Sequence, residues 1–330
     1  METNGDKKEP VKKSRFLNRL IEQPEIGVLI PLVLLFIVTA FGNENFLTST
    51  NLTAVLRLLV CYAFCAMGIS FVLLCGDIDI SVGMTAGLGA MILAALTISR
   101  GWNIWLSVSV SLVFAVVAGL VKGFFVAKVG MFPYIVTIGF MFVFKGLKYV
   151  TTNGYPVFPF PPEVVAFARQ RPLGLNWPFF LVLALFIIFE IVLRKTTFGR
   201  KVYAVGDNKE VARLAGINVM KIRIIAYVIC SIMCVIAGIT TTLAIGVGDP
   251  SLGEGWEMYA IASSAIGGIA MKGGKGSLIG TAIGVLFIAL LNNSMVMFAL
   301  NSNLQTALTG ALLILAVLMD MFKSSRKMKL

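Results

Sequence analysis

Between Lys275 and Asp320 the sequence runs for 44 residues without one charged side chain. A transmembrane helix needs about 20 consecutive, mostly apolar residues, so this run has room for two crossings and no counterpart in a water-soluble core. Composition agrees: 58% of the chain is hydrophobic and 13% charged, against roughly 45–50% and about 25% in soluble domains. The 330 residues therefore read as an all-α, polytopic membrane protein. There is no histidine, which removes Ser-His and Cys-His dyads, histidine-ligated metals and histidine-bound haem, and with them the ordinary hydrolases and metalloenzymes. Cys61, Cys65, Cys75, Cys230 and Cys234 all lie inside apolar runs without a Cys-x-x-Cys pair. They read as small membrane-helix residues, not metal or redox ligands. No catalytic residue and no metal site is expected.

Apolar runs predict about ten membrane segments, at 26–41, 53–75, 82–99, 103–127, 131–149, 177–193, 224–247, 257–271, 277–299 and 304–322. The segment 257–271 has a charge-free core only from Met258 to Met271 and reads as a half-helix or a steeply packed segment in place of a full crossing. With a cytoplasmic N-terminus and ten crossings, the outside loops hold only Arg100, Arg169 and Arg171. Arg57, Lys145 and Lys148 fall in or near helix ends, and every other one of the 28 basic residues, Lys122 included, falls inside. This positive-inside pattern places both termini in the cytoplasm. Residues 1–25 and 323–330 then form cytoplasmic tails around a transmembrane domain at 26–322. The net charge of +12 reports topology and not nucleic-acid binding. The first 25 residues mix basic and acidic side chains without a long apolar stretch before a cleavage site, so they read as a tail and not a signal peptide.

Two interruptions share a signature: Gly76-Asp77 followed by Gly83, and Gly248-Asp249 followed by Gly255. Carrying the same offset along the chain superposes segments two to five on seven to ten, giving repeat halves at about 51–150 and 223–322. An odd number of intervening segments would insert the halves in opposite senses, the inverted-topology arrangement of transporters with broken helices. The simpler alternative is chance recurrence of Gly and Asp at helix ends. In Cys75-Gly-Asp-Ile-Asp-Ile-Ser-Val-Gly83, two carboxylates stand at or near membrane depth, where charges are costly and face protein or water. Asp77, Asp79 or Ser81 can cap the next helix by accepting from its orphan amides; this reading ranks above substrate contact and proton coupling. Asn292, Asn293 and Ser294 interrupt the ninth segment, where an unsatisfied amide would cost several kcal/mol. They suit hydrogen bonds to a polar solute in a translocation pathway and interhelical hydrogen bonds equally well.

The substantial inside loop, 195–223, carries a short amphipathic helix. Asp207 or Asn208 can cap it, Val211, Leu214 and Ala215 form a narrow apolar stripe, and Gly216 suits its left-handed end. It is either a connector resting on anionic lipid heads or a docking element for a cytoplasmic partner. The second is favoured, because the stripe and Tyr203 have little else to pack against.

Three runs occur in order: Gly-Asp-Ile-Asp-Ile-Ser-Val-Gly at 76–83, Gly-Arg-Lys-Val-Tyr-Ala-Val-Gly-Asp-Asn…Ala-Arg-Leu-Ala-Gly-Ile at 199–217, and Ala-Ile-Gly-Gly…Gly-Gly-Lys-Gly-Ser at 265–277. Together, over nearly the whole chain, they resemble the membrane permease of ribose- and galactoside-type ABC sugar importers. That resemblance implies one half of a two-permease pore, completed by a second copy or a sister permease, in a bacterial cytoplasmic membrane. It implies a separate ATPase with two nucleotide-binding domains, holding ATP and Mg, and an extracytoplasmic sugar-binding protein. It makes the 199–217 run the ATPase-coupling region, with Gly199, Arg200, Tyr203, Gly206, Asp207, Asn208, Val211, Ala212, Leu214, Ala215 and Gly216. Cys75 and Asp207 depart from the family's usual small residues. Gly273-Gly-Lys-Gly-Ser277 is not a phosphate loop, since Gly276 follows the lysine and residue 269 is Ile269. ATP then binds another chain. The alternative is a proton- or ion-coupled secondary transporter, for which repeats and buried carboxylates are equally natural; the loop at 195–223 tells against it.

Overall fold

A computed structural model describes residues 24–327, so the expected tail at 1–25 lies outside the described residues but for its last two positions, and that at 323–330 only from position 328 on. The described elements are helical: α1 (Pro24–Gly42), α2 (Ser49–Leu74), α3 (Val82–Ala94), α4 (Ile104–Phe124), α5 (Pro133–Val150), α6 (Pro162–Ala168), α7 (Trp177–Lys195), α8 (Thr197–Asp207), α9 (Lys209–Leu214), α10 (Val219–Ile245), α11 (Trp256–Ile266), α12 (Leu278–Met297) and α13 (Ser302–Lys327). One π-helical turn extends α3 to Ser99 and another extends α4 to Val129. Among the described residues, the pairing of Val157 with Gly248 is an isolated antiparallel bridge between two loops.

Among the described residues, seven helices are long and apolar enough to cross a membrane: α2, extended α3, extended α4, α5, α7, α10 and α12. Apolar stretches at Val28–Gly42 and Ser302–Leu315 are shorter. The expected segment 257–271 contains only the 11-residue α11. At 1.5 Å per residue α11 spans about 16 Å, roughly half the ~30 Å hydrocarbon layer, so the half-helix reading is the one realised. Beyond it the chain turns through glycines to α12.

From Val60 to Cys75 every residue is buried, which places α2 at the centre; a helix that is apolar on all sides belongs in an interior. Around α2 pack α10, α11 and α12, while α10 also crosses α3 and α4, and α11 touches α13. Small residues permit these crossings. A Cβ at Gly83 would lie 2.0 Å from the Gly253 carbonyl oxygen, and one at Gly284 2.0 Å from that of Ser263.

Candidate functional site

The first helix break is built from local rules. α2 ends at Leu74, and Gly76, with φ +71°, turns the chain. Its amide donates to Leu73 O (2.8 Å), and the Asp77 amide donates to Val72 O (3.1 Å), closing the helix with a left-handed glycine cap. Residues 77–81 then run without helix until Val82 starts α3.

The two carboxylates of the break do different things. Asp79 accepts from the Ser81 amide (2.9 Å) and hydroxyl (2.6 Å) through Oδ1, and from Lys122 Nζ (2.6 Å) through Oδ2. Lys122 also donates to Ser81 Oγ (2.9 Å) and Thr85 Oγ1 (3.4 Å). Both side chains of this ion pair are wholly buried. Lys122, grouped above with the inside anchoring residues, is therefore a core residue; its position within an apolar run was the available signal. Asp77 caps no amide among its hydrogen bonds. Its Oδ1 accepts from Lys209 Nζ (2.8 Å) and Arg223 Nη2 (2.9 Å), and its Oδ2 from Arg223 Nε (2.6 Å). Ser81 likewise spends its hydroxyl on Asp79 and Lys122 instead of capping α3. Of the three expected caps, only Asp79 takes an amide, that of Ser81.

Around this break three stretches meet. Gly206 admits no side chain, since a Cβ there would lie 1.8 Å from Leu74 O and 2.4 Å from Gly274 N. The Gly274 amide donates to Leu74 O (3.0 Å) and the Gly273 amide to Ala270 O (2.9 Å). Those two amides of the 273–277 glycine run are thus engaged within the fold. Tyr203, expected above to have little to pack against, is engaged within the fold: it is half-buried and donates to Gly276 O at 2.9 Å. Burial and the nearby Glu190 carboxylate push its phenol up, so it remains a donor. Gly199 is also buried, with Leu193 O 2.0 Å from a Cβ position, whereas Arg200 and Asp207 are exposed.

At the turn after α8, Asn208 and not Asp207 caps α9, accepting from the amides of Glu210 (3.0 Å) and Val211 (3.1 Å). Asp207 is instead the last residue of α8. Gly216, at φ +78°, closes α9. Ala212 faces inward, 3% exposed, while Val211 and Leu214 are 60% and 84% exposed and Ala215 is exposed beside them. The apolar stripe has no cover among the described residues.

The second break lies between α10 and α11. Asp249 Oδ1 accepts from the Ser251 amide (2.7 Å), Gly248 pairs with Val157, and Gly255, at φ +81°, precedes α11. Lys148, missed in the sequence as a core residue, donates to Leu252 O (3.0 Å) with its side chain wholly buried. Glu254 accepts from Tyr149 (3.1 Å) and pairs with Lys145 (3.3 Å). Burial alone would raise the Glu254 carboxyl, but hydrogen bonds from Lys145 and Tyr149 and the charge of Lys148 outweigh it and hold the group below its ordinary value.

The polar trio of α12 is satisfied within the bundle. Asn293 and Asn51 exchange reciprocal amide hydrogen bonds (2.6 and 3.1 Å), Asn292 donates to Ile288 O (3.0 Å), and Ser294 bonds Thr39 across to α1 (2.8 Å). A separate cavity of about 240 Å³ opens between α2, α10 and the start of α7, with Arg57, Tyr62, Asn176, Thr240, Thr241 and Trp256 among its lining.

An all-helical bundle with apolar spans, helices broken beside paired charges and an uncovered apolar stripe at one face is a multi-pass membrane protein of the transport type. Residues 51–317 match the family described as branched-chain amino acid transport system, permease component, and the chain belongs to that family. It is 33% identical over 303 residues to the ribose import permease protein RbsC of Bacillus subtilis (strain 168), covering 91% of this chain and 94% of that one. It is 34% identical over 296 residues to RbsC of Escherichia coli (strain K12), covering 88% and 92%. With the L-arabinose transport system permease protein AraH of Escherichia coli (strain K12), identity is 32% over 316 residues, covering 96% and 95%. No solved structure matches it.

Proposed function

We propose that this chain is the permease subunit of an ATP-driven ABC importer that carries a monosaccharide or a similar small polar solute across a bacterial cytoplasmic membrane. The observation that carries the reading is α9: a capped, six-residue helix held out at one face, with Val211 and Leu214 at 60% and 84% exposure. An ATPase groove is the natural cover for such a stripe, and the ribose and arabinose permeases among the relatives support the solute class. ATP and Mg belong on that separate ATPase chain. A second copy or sister permease and an extracytoplasmic binding protein complete the assembly.

The ten-segment, inverted-repeat architecture belongs to the same proposal. Under the common offset, α2 to α5 correspond to α10 to α13. The neighbours support it: α3 packs on α10 and α5, and its counterpart α11 packs on α2 and α13. Of the two readings of the polar trio, the bonds of Asn293 to Asn51 and of Ser294 to Thr39 favour interhelical bonding over solute contact, while Asn292 bonds within its own helix.

Burying a side chain the size of Val or Leu contributes roughly 1.5–3 kcal/mol, and a charge placed there would be desolvated without a partner. Leu214→Asp and Ala215→Glu should therefore weaken recovery of the ATPase in pull-down and uncouple hydrolysis from the solute-loaded binding protein, with insertion unchanged. Unchanged recovery and stimulation in both would move the coupling site elsewhere. Uptake by this chain alone, driven by a proton gradient without ATP, would favour the secondary-transporter alternative.

A further inference from the structure

Three segments far apart in sequence share one buried carboxylate. Asp77 follows the end of α2, Lys209 is the first residue of α9, and Arg223 lies one turn into α10. The Asp77 side chain is wholly buried, whereas Lys209 is 38% and Arg223 12% exposed. Both carboxylate oxygens are occupied, Oδ1 by both cations and Oδ2 by Arg223 Nε. Lys209 Nζ also reaches Gly76 O (3.4 Å). We propose that Asp77 is the positioning residue through which α9 acts on the broken helix, its carboxylate tying the cytoplasmic turn to both central helices. The proposal rests on α9 being the ATPase-docking element.

The surroundings make the tie stiff. On one side, Gly206 packs against Leu74 O and Gly274 N so closely that no side chain fits. On the other, the buried Tyr227 donates to Ile78 O (3.2 Å), and Asp79 is fixed by Lys122. A displacement of α9 is therefore passed by Lys209 to a segment that cannot yield locally. A capping role would tolerate Asn at 77, which keeps an acceptor. A two-cation clamp does not, because Asn leaves the partly buried Arg223 without its counter-charge.

The test uses the whole permease isolated with its ATPase and binding protein in nanodiscs, comparing Asp77→Asn, Arg223→Gln and the conservative Arg223→Lys. Asp77→Asn and Arg223→Gln should keep the ATPase in pull-down yet lose about tenfold in binding-protein-stimulated hydrolysis and uptake, and Arg223→Lys, which keeps the cation facing Asp77, should retain most of both. Full transport by Asp77→Asn, or an Arg223→Lys variant that keeps its ATPase but transports no better than Arg223→Gln, would overturn the proposal. Where Asp77→Asn fails to insert, Lys209→Gln carries the same test, with the same loss expected and normal transport overturning it. Unaffected ATPase recovery in Leu214→Asp would count against docking at α9, whereas normal transport by Asp77→Asn with docking intact counts against the Asp77 tie alone.

Discussion

Lys122 spends its ammonium group entirely inside the protein, on Asp79, Ser81 and Thr85. In such a pair the mutual attraction roughly offsets desolvation, so the pair adds little net stability, while removal of one partner strands a buried charge at a cost of about 3–5 kcal/mol. Lys122→Met and Asp79→Leu should each lower the unfolding temperature in detergent sharply, and the double variant should recover most of the loss. A double variant as unstable as either single would show that the hydrogen bonds to Ser81 and Thr85 matter more than charge balance. Glu254 carries a pH consequence. Its carboxyl is held below the ordinary value, so it contributes stability above its unfolded pKa of about 4.3, and that contribution is lost as pH falls through the lower folded value. Amide protection over 248–255, taken relative to the intrinsic exchange rate at each pH, should therefore fall on acidification below about pH 4, and Glu254→Gln should remove that dependence; equal pH profiles for the two proteins would discount the Glu254 contacts.

At the scale of the element, α9 is far shorter than the ~12–15 residues at which an isolated helix becomes even marginal. It therefore depends on its ends. Asn208→Ala removes the acceptor for two amides and should cost about 1 kcal/mol of local stability. Amide exchange over 209–216 should quicken, and ATPase recovery should fall without vanishing; unchanged exchange would mean that packing of Ala212 alone holds the helix. This element was legible because its signals are local: a cap, a stripe and a closing glycine within nine residues. Tyr203 was not, because its acceptor, Gly276 O, is distant in sequence. Asp77 was misread for the same reason. A carboxylate beside a helix start looks like a cap until Lys209 and Arg223 are folded against it.

For the whole molecule, hydropathy was sufficient where helices are long and failed where they are not: α11 fills less than its expected segment because glycines at 267 and 268 end it. The buried Lys122 was counted as a topology marker and the buried Lys148 placed only near a helix end, since side-chain direction is absent from a charge count. The proposed orientation rests on two separable arguments. α7 is the one candidate span between Leu173 and Leu214 among the described residues, and a crossing there puts these positions on opposite sides whatever the sign of the arrangement. The bridge from Val157 to Gly248 places those two loops on one face. The proposed sign rests on the basic residues, which crowd the 194–223 side. All five native cysteines are buried, so introduced ones can be read against a low background. Cysteines replacing Tyr155 and Leu173, 74% and 91% exposed, should react with an impermeant maleimide from outside, and one replacing Leu214, 84% exposed, only after permeabilisation. Reaction at 214 from outside with silence at 155 and 173 would invert the orientation, and reaction of all three from one face would deny that α7 crosses.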